Sequence, residues 1–304
     1  MITLFTTAKP FTGHNGVIQR NALKSWTLLH PDVQVILFGD EEGAAETARE
    51  FSIRHIPQVE RTPEGTKVLR SFFDPAQCMA RHELLCYLNC DIVLTPDFVK
   101  ALSLVHGEHR KFLMVGRRWD TDVTCPINFQ EAGWQKHLRE LAITSGRQRN
   151  ADFIDFFVFP RVLYEQVPPL VVGRSYWDHW LVWKALFLGV PVVDCSRFLV
   201  AVHQNHGYAY HPLRKQGTNE DELAQRNMQL CAHGKHLRSL HDATHAMTKS
   251  GRIIWTPLRR QWNTLCELRH KQGFVEHTLQ LRKRLRLRRE TLNKLRDRKV
   301  HARD

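Results

Sequence analysis

The run Leu88-Asn89-Cys90-Asp91-Ile92-Val93-Leu94, followed by Thr95-Pro96-Asp97-Phe98, sets one carboxylate among apolar residues. The pattern reads as a buried strand with Asp91 at its edge. An ionised group in that position is costly unless a cation, a metal or several hydrogen-bond donors meet it. Otherwise it is a strand-end Asp that opens a turn. Asn89, two residues earlier, can hydrogen-bond a hydroxyl but brings no charge. A second cluster is Val202-His203-Gln204-Asn205-His206-Gly207-Tyr208. Neutral imidazole is a competent ligand for Mn2+. A His-x-x-His zinc pair competes, but no third ligand stands at a telling spacing.

Two further acids can move protons. Asp178 follows Gly173-Arg174 and precedes an apolar stretch predicted to be a helix from His179 to Leu188. There it reads as an N-cap or as a general base anchored by a helix N-terminus. Asp155 stands immediately before Phe156-Phe157-Val158-Phe159 and is the rival base or an acceptor-binding group.

The elements that must position these residues alternate. Ile2 to Thr6 reads as a strand, Val17 to Leu29 as a helix, Val33 to Phe38 as a strand and Glu42 to Phe51 as a helix. Arg54 to Gln58 is a weaker strand. Thr62-Pro63-Glu64-Gly65-Thr66 is a loop with turn chemistry, and Pro75 to Leu85 is expected to be helical. Such alternation argues for a largely parallel sheet covered on both faces. Ligands bind such sheets beyond the carboxyl ends of the strands. Thr6, Thr7, Asp40 and Asp91 all fall at predicted carboxyl ends, which points to one shared site. Arg20, early in the first helix, and Arg81, on the helix leading to the Asp91 strand, are phosphate candidates. Further on, Phe112 to Gly116, Phe156 to Phe159 and Pro191 to Asp194 read as strands and Trp134 to Ser145 as a helix. The chain beyond about residue 215 reads as helices.

A chain of 304 residues with 42% hydrophobic and 25% charged content is long enough for a substantial core. No stretch approaches the roughly 20 apolar residues of a membrane span. Met1-Ile2-Thr3-Leu4-Phe5 lacks the pattern of a signal peptide, so a cytoplasmic protein is expected. Seven scattered cysteines without a Cys-x-x-Cys pair predict buried thiols, not a disulfide framework or a zinc site. The net charge of +13 is concentrated at one end: Arg269 to Asp304 holds 13 Lys/Arg and 4 Asp/Glu, a net of +9. Past Lys271 the sequence reads as one basic helix with Leu281, Leu285, Leu292 and Leu295 along a stripe. It suits packing through a leucine seam or docking on anionic lipid. Little aromatic interleaving and no recognition motif argue against nucleic acid. No feature assigns an oligomeric state.

Gly-x-Gly-x-x-Gly, the phosphate loop Gly-x4-Gly-Lys-[Ser/Thr] and the Gly-x-Ser-x-Gly elbow are all missing. Their absence removes the common dehydrogenase, NTPase and serine-hydrolase readings. The paired threonines after the first strand, Gly39-Asp40 after the second, Asn89-Cys90-Asp91 and the late histidine block together resemble the GT-A-type nucleotide-diphospho-sugar glycosyltransferases. The resemblance covers roughly residues 1 to 212. It implies an α/β, GT-A-like fold: a mostly parallel twisted sheet flanked by helices, with a nucleotide-sugar half of about 1–110, an acceptor half of about 111–212 and a helical, basic extension over 213–304. It implies transfer of a sugar from a nucleotide-diphosphate donor, UDP-linked, onto a hydroxyl of a glycan or lipid-linked acceptor. The membrane inner face would then suit the basic extension.

The family's short acidic motif has two acids separated by one residue, and here Asn89 replaces the first. The resemblance makes Asp91 and His203 ligands to Mn2+ or Mg2+, and Asp178 the base, with Asp155 as its rival. It assigns Thr6, Thr7, Arg20, Asp40, Arg81 and Asn89 to the nucleotide, and Trp177, His206 and Tyr208 to the acceptor side. The alternatives are a non-catalytic scaffold working through its basic tail, and a sugar-nucleotidyltransferase. The latter carries a Gly-rich loop where this chain reads Ala8-Lys9-Pro10-Phe11-Thr12-Gly13.

Overall fold

A computed structural model gives the structure of residues 1–206 and 221–256, and Met1–Thr256 form one compact unit. The alternation seen in the sequence builds its first half: β1 (Ile2–Thr7), α1 (Gly13–Thr27), β2 (Gln34–Phe38), α2 (Ala44–Glu50), β3 (Arg54–Ile56), α3 (Arg70–Met79) and β4 (Leu84–Leu88). These strands pair in parallel in the order β3-β2-β1-β4. β1, β2 and β4 are buried almost throughout, as the interior of a doubly covered parallel sheet requires, and β3 is the half-exposed edge strand. Phe5 and Tyr87 join Phe72, Phe73, Phe159 and Tyr164 in one core layer, while Leu4 and Cys86 join Trp26, Phe98 and Phe156 in the other. Phe73 stacks on Phe159 with centroids 5.8 Å apart.

The second half adds β5 (Ile92–Val93), α4 (Asp97–Glu108), β6 (Leu113–Thr121), α5 (Trp134–Thr144), β7 (Arg147–Gln148), β8 (Ile154–Pro160), α6 (Trp177–Phe187), β9 (Val192–Asp194) and β10 (Ala201–Gln204). Then come α7 (Glu222–Leu230), β11 (His245–Met247) and β12 (Ile253–Trp255). The main sheet runs β12-β11-β9-β6-β8-β4-β1-β2-β3. It is mostly parallel, with β8 antiparallel to both its neighbours. Because β8 runs backwards beside β4, its beginning lies at the same sheet edge as the end of β4.

Strand β6 belongs to two sheets. Its first residues pair with β8 and β9, and its last with β10 and β7. The register shifts between Val115 and Arg117. A Cβ on the intervening Gly116 would stand 3.0 Å from the Phe156 ring and 3.4 Å from the Ser196 nitrogen, so a larger residue at this crossing would press on Phe156. The smaller sheet, β5-β10-β6-β7, covers a third cluster of Val93, Val202, Trp134, Leu138 and Ala142.

Several expected boundaries move. Leu88 to Leu94 is not one strand. β4 stops at Leu88, the chain turns with Ile92 N–H donating to Asn89 C=O at 3.2 Å, and β5 joins β10 instead. The helix expected from Pro75 is already formed at Arg70, because Phe72, Phe73 and Ala76 make its buried face; it ends at Met79, and Leu84-Leu85 belong to β4. Asp155 lies inside β8, not before it. Residues 245–255, expected to be helical, form β11 and β12 at the sheet edge. Among the described residues no helix is long and apolar enough to cross a membrane.

Candidate functional site

The carboxyl ends of β1, β2 and β4 and the start of β8 converge on one edge, as the sequence reading required. Asp91 sits in the turn between β4 and β5. Its backbone carbonyl accepts from Gln204 N–H at 3.2 Å and from the Gln204 side chain at 3.1 Å, tying the turn to β10. The His203 and His206 rings then fall on Asp91: Oδ2 lies 3.1 Å from His206 Nε2 and 3.7 Å from His203 Nε2. One ligand atom from each residue lies within 4.8 Å of the others. The other carboxylate oxygen, Asp91 Oδ1, is buried and has no hydrogen-bond partner among the described residues. Burial alone pushes the Asp91 carboxyl up, but the charges of His203, His206 and Lys9 and the His206 hydrogen bond outweigh it and hold Asp91 well below the carboxylate range. His206, expected on the acceptor side, is therefore nearer to Asp91 than the predicted ligand His203.

Around this cluster runs a charged network. Asn89 donates its side-chain amide to Asp155 Oδ1, and Arg118 donates to Asp155 Oδ2 at 3.0 Å. The same guanidinium donates through Nε to Asp120 Oδ1 at 2.8 Å, and that oxygen lies 3.1 Å from His203 Nδ1. Asp155 is thus engaged by two donors, an arrangement that suits a structural carboxylate better than a free base.

Asp178 has a different setting. The N-cap of α6 is Tyr176, at φ 90°, so Asp178 lies inside the first turn without capping it. Desolvation, and after it the charge of Asp155, pushes the Asp178 carboxyl above the ordinary aspartate value. A carboxylate whose proton affinity is raised in this way is what base chemistry near neutral pH calls for.

On the nucleotide side, Asp40 follows β2 at the edge and is held by Arg61, whose hydrogen bond lowers the Asp40 carboxyl below its ordinary value. Asp40 lines an open cleft of about 410 Å³ with Pro57, Gln58, Val59, Glu60 and Ser71. Thr6, the penultimate residue of β1, donates to Leu88 C=O at 2.6 Å, a structural bond between β1 and β4, and Thr7 ends the strand at the rim. Sequence reasoning missed Lys67, whose Nζ donates to Ala8 C=O at 2.6 Å and pairs with the buried Glu41. It also missed Lys9, the cation beside Asp91, on a loop clamped by Gln19. That side chain accepts from Lys9 N–H at 2.6 Å and donates to Lys9 C=O at 2.9 Å. The signal for both lay in the sequence: lysines in the loops flanking the predicted strand ends.

Three predicted residues are not brought to the site. Arg20 turns to α2, where it pairs with Glu50, donates to Thr47 at 3.0 Å and covers the Phe51 ring. Arg81 follows α3 and donates its N–H to Gln34 at 2.7 Å, at the amino ends of β2 and β4 and so on the opposite edge. Trp177 is buried against Tyr87 and Phe157 in the core, with centroids 5.4 and 5.7 Å away, and does not line an acceptor groove. Tyr208 and the basic segment from Lys271 onward lie outside the described residues.

No protein-family model and no curated protein matches the chain. Among solved structures it aligns with Staphylococcus aureus TarS 1-349 in complex with UDP-GlcNAc, at 10% identity and a TM-score of 0.46, covering 76% of this chain and 65% of that one. Mycobacterium tuberculosis glucosyl-3-phosphoglycerate synthase aligns at 13% identity and a TM-score of 0.46, covering 76% and 80%. A mannosyltransferase from Pyrobaculum calidifontis, in complex with GDP-Man and Mn2+, aligns at 13% identity and a TM-score of 0.40, covering 72% and 58%. The chain spans under two thirds of the TarS fragment.

Proposed function

We propose that this protein is a metal-assisted glycosyltransferase that moves a sugar from a nucleotide-diphosphate donor, UDP-linked, to a hydroxyl of a glycan or lipid-linked acceptor. The observation that carries the reading is Asp91: a carboxylate at the ligand edge of the sheet, with one oxygen buried and without a partner among the described residues, and two imidazoles converging on the other. One carboxylate oxygen and two imidazole nitrogens make a donor set suited to Mn2+. Mg2+, which prefers oxygen ligands, fits it less well. When bound, such a cation supplies Lewis-acid stabilisation of the departing diphosphate, worth several kcal/mol.

The remaining roles belong to the chain. Asp40 and the cleft beside it receive the nucleoside, and Asn89 faces the ribose. Lys9 adds a positive charge beside the diphosphate. Asp178 takes the proton of the acceptor hydroxyl as that oxygen bonds to the anomeric carbon. The bond from that carbon to the donor's phosphate oxygen breaks, releasing the nucleoside diphosphate.

The test is thermal stability against a panel of nucleotide sugars, with and without Mn2+, for wild type and Asp91→Ala. A ligand at 100 times its Kd stabilises the folded state by about 2.7 kcal/mol. A melting-temperature rise with one donor, present only with Mn2+ and lost in the variant, is expected. Absence of a shift with every donor would overturn the reading.

A further inference from the structure

We propose that Asp120 is the positioning residue for His203, holding the Nδ1 side of the ring so that Nε2 is presented to the Asp91 cation site. The inference rests on the metal-site reading above. His203 stands between two carboxylates, with Nε2 3.7 Å from Asp91 Oδ2 and Nδ1 3.1 Å from Asp120 Oδ1. The Nδ1 contact is within hydrogen-bond distance without being in line with the ring N–H. The ring is 3% exposed, so bulk water does not orient it. The juxtaposition is built into the sheet: β10 and β6 run parallel with His203 directly opposite Asp120.

Asp120 is itself fixed. Arg118 Nε donates to Oδ1 at 2.8 Å, Arg149 Nε lies 3.5 Å from Oδ2, and both guanidiniums rest on the Phe153 ring. A carboxylate held in this way is a poor candidate for a ligand, since Arg118, Arg149 and His203 surround its oxygens. It is well suited to accept the Nδ1 proton. A neutral imidazole has one N–H and one lone pair, so an acceptor at Nδ1 leaves the lone pair on Nε2. Partners of this kind behind a ligating histidine set its tautomer and angle, and their loss costs roughly 10–100-fold in metal affinity. Arg118 extends the control by also holding Asp155, the acceptor of the Asn89 amide. The two arms that flank Asp91 are thereby tied to one guanidinium.

The experiment uses the full chain as wild type, Asp120→Ala, Asp120→Asn, His203→Ala and Asp91→Ala. Mn2+ affinity is measured from the paramagnetic resonance signal of the free ion. The His203 tautomer is measured in metal-free protein by long-range nitrogen–proton NMR. Circular dichroism and melting curves show that each variant is folded. Expected are Mn2+ binding by wild type, an affinity loss of roughly 10–100-fold in Asp120→Ala, and loss of the single Nδ1–H tautomer in that variant. Asp120→Asn keeps an acceptor oxygen and is expected to restore the tautomer and most of the affinity. Asp120→Ala binding Mn2+ like wild type, or keeping the same tautomer, overturns the inference while the metal site stands, provided His203→Ala and Asp91→Ala lose the ion. Wild type failing to bind Mn2+ overturns the metal reading and this inference with it.

Discussion

Asn89 and Asp155 face each other where β4 ends and β8 begins: the Asn89 side chain donates to Asp155 Oδ1, and its backbone N–H donates to the Asp155 carbonyl at 3.0 Å. Asp155 Oδ2 is taken by Arg118. A carboxylate at position 89 would meet the Asp155 carboxylate head on. The neutral residue in the short motif is therefore matched to an acid delivered by the antiparallel strand next to it.

Asn89→Asp is accordingly expected to destabilise the protein by about 1–3 kcal/mol, the scale of leaving a part-buried polar group without its partner. The exchanged pair, Asn89→Asp with Asp155→Asn, restores a donor opposite an acceptor and is expected to recover part of the loss. Urea denaturation of both single variants and the double variant gives the coupling between the two positions directly. Additive effects would show that the pair does not interact.

For Asp178 the sign of the pH dependence follows from its raised carboxyl pKa. The folded state then binds the proton more tightly than the unfolded chain, so stability is highest below the ordinary aspartate value of 3.8 and falls as pH rises through the folded value. Above the folded value the cost stays constant. Asp178→Asn removes it, and the variant is expected to melt higher than wild type at pH 7, with a gain that vanishes on acidification towards pH 4. The same change is expected to lower kcat by roughly 10²–10⁴-fold, as loss of a general base does. Melting curves across pH together with turnover measurements check both halves. A variant that is active and no more stable at pH 7 would remove Asp178 from the mechanism.

Lys67 and Glu41 form a buried ion pair, 12% and 9% exposed, that is anchored to the loop after β1. Burial lowers the Lys67 ammonium below its ordinary lysine value, and the Glu41 charge opposes that shift. Lys67→Met leaves Glu41 with Arg61 alone and frees the Ala8 carbonyl, at an expected cost of about 3 kcal/mol. Adding Glu41→Gln removes the stranded charge and is expected to return part of that stability. Donor binding is expected to stay weak in the double variant, because the loop carrying Lys9 has lost its anchor. Denaturation and nucleotide titration separate the two effects.

The alternation of apolar runs with helical spacing was enough to place β1, α1, β2 and α2 and to mark Asp40, Asp91, Asp178 and His203 as residues of interest. These are local properties: a strand buried on both faces must be continuously apolar, and a polar residue at its end stands out. The same local view joined Leu88 to Leu94 into one strand, because apolar residues on both sides of a turn look like one strand when its second half pairs elsewhere. Trp177 and Arg20 were misread for a related reason. Type and position along the chain do not say which face of a helix meets the core, and their faces were set by Tyr87 and Phe157 for one and by Glu50 for the other.

The pairing of residues distant in sequence came from the packed fold. The antiparallel run of β8 carries Asp155 to Asn89, and the β6–β10 register sets Asp120 against His203. The turn before β5 brings Asp91 beneath His203 and His206. Residue types and local pattern showed which side chains are capable of the chemistry and which strand ends they stand near. Their joining into one site depended on strand direction and register, which are settled by long-range packing and not by local spacing.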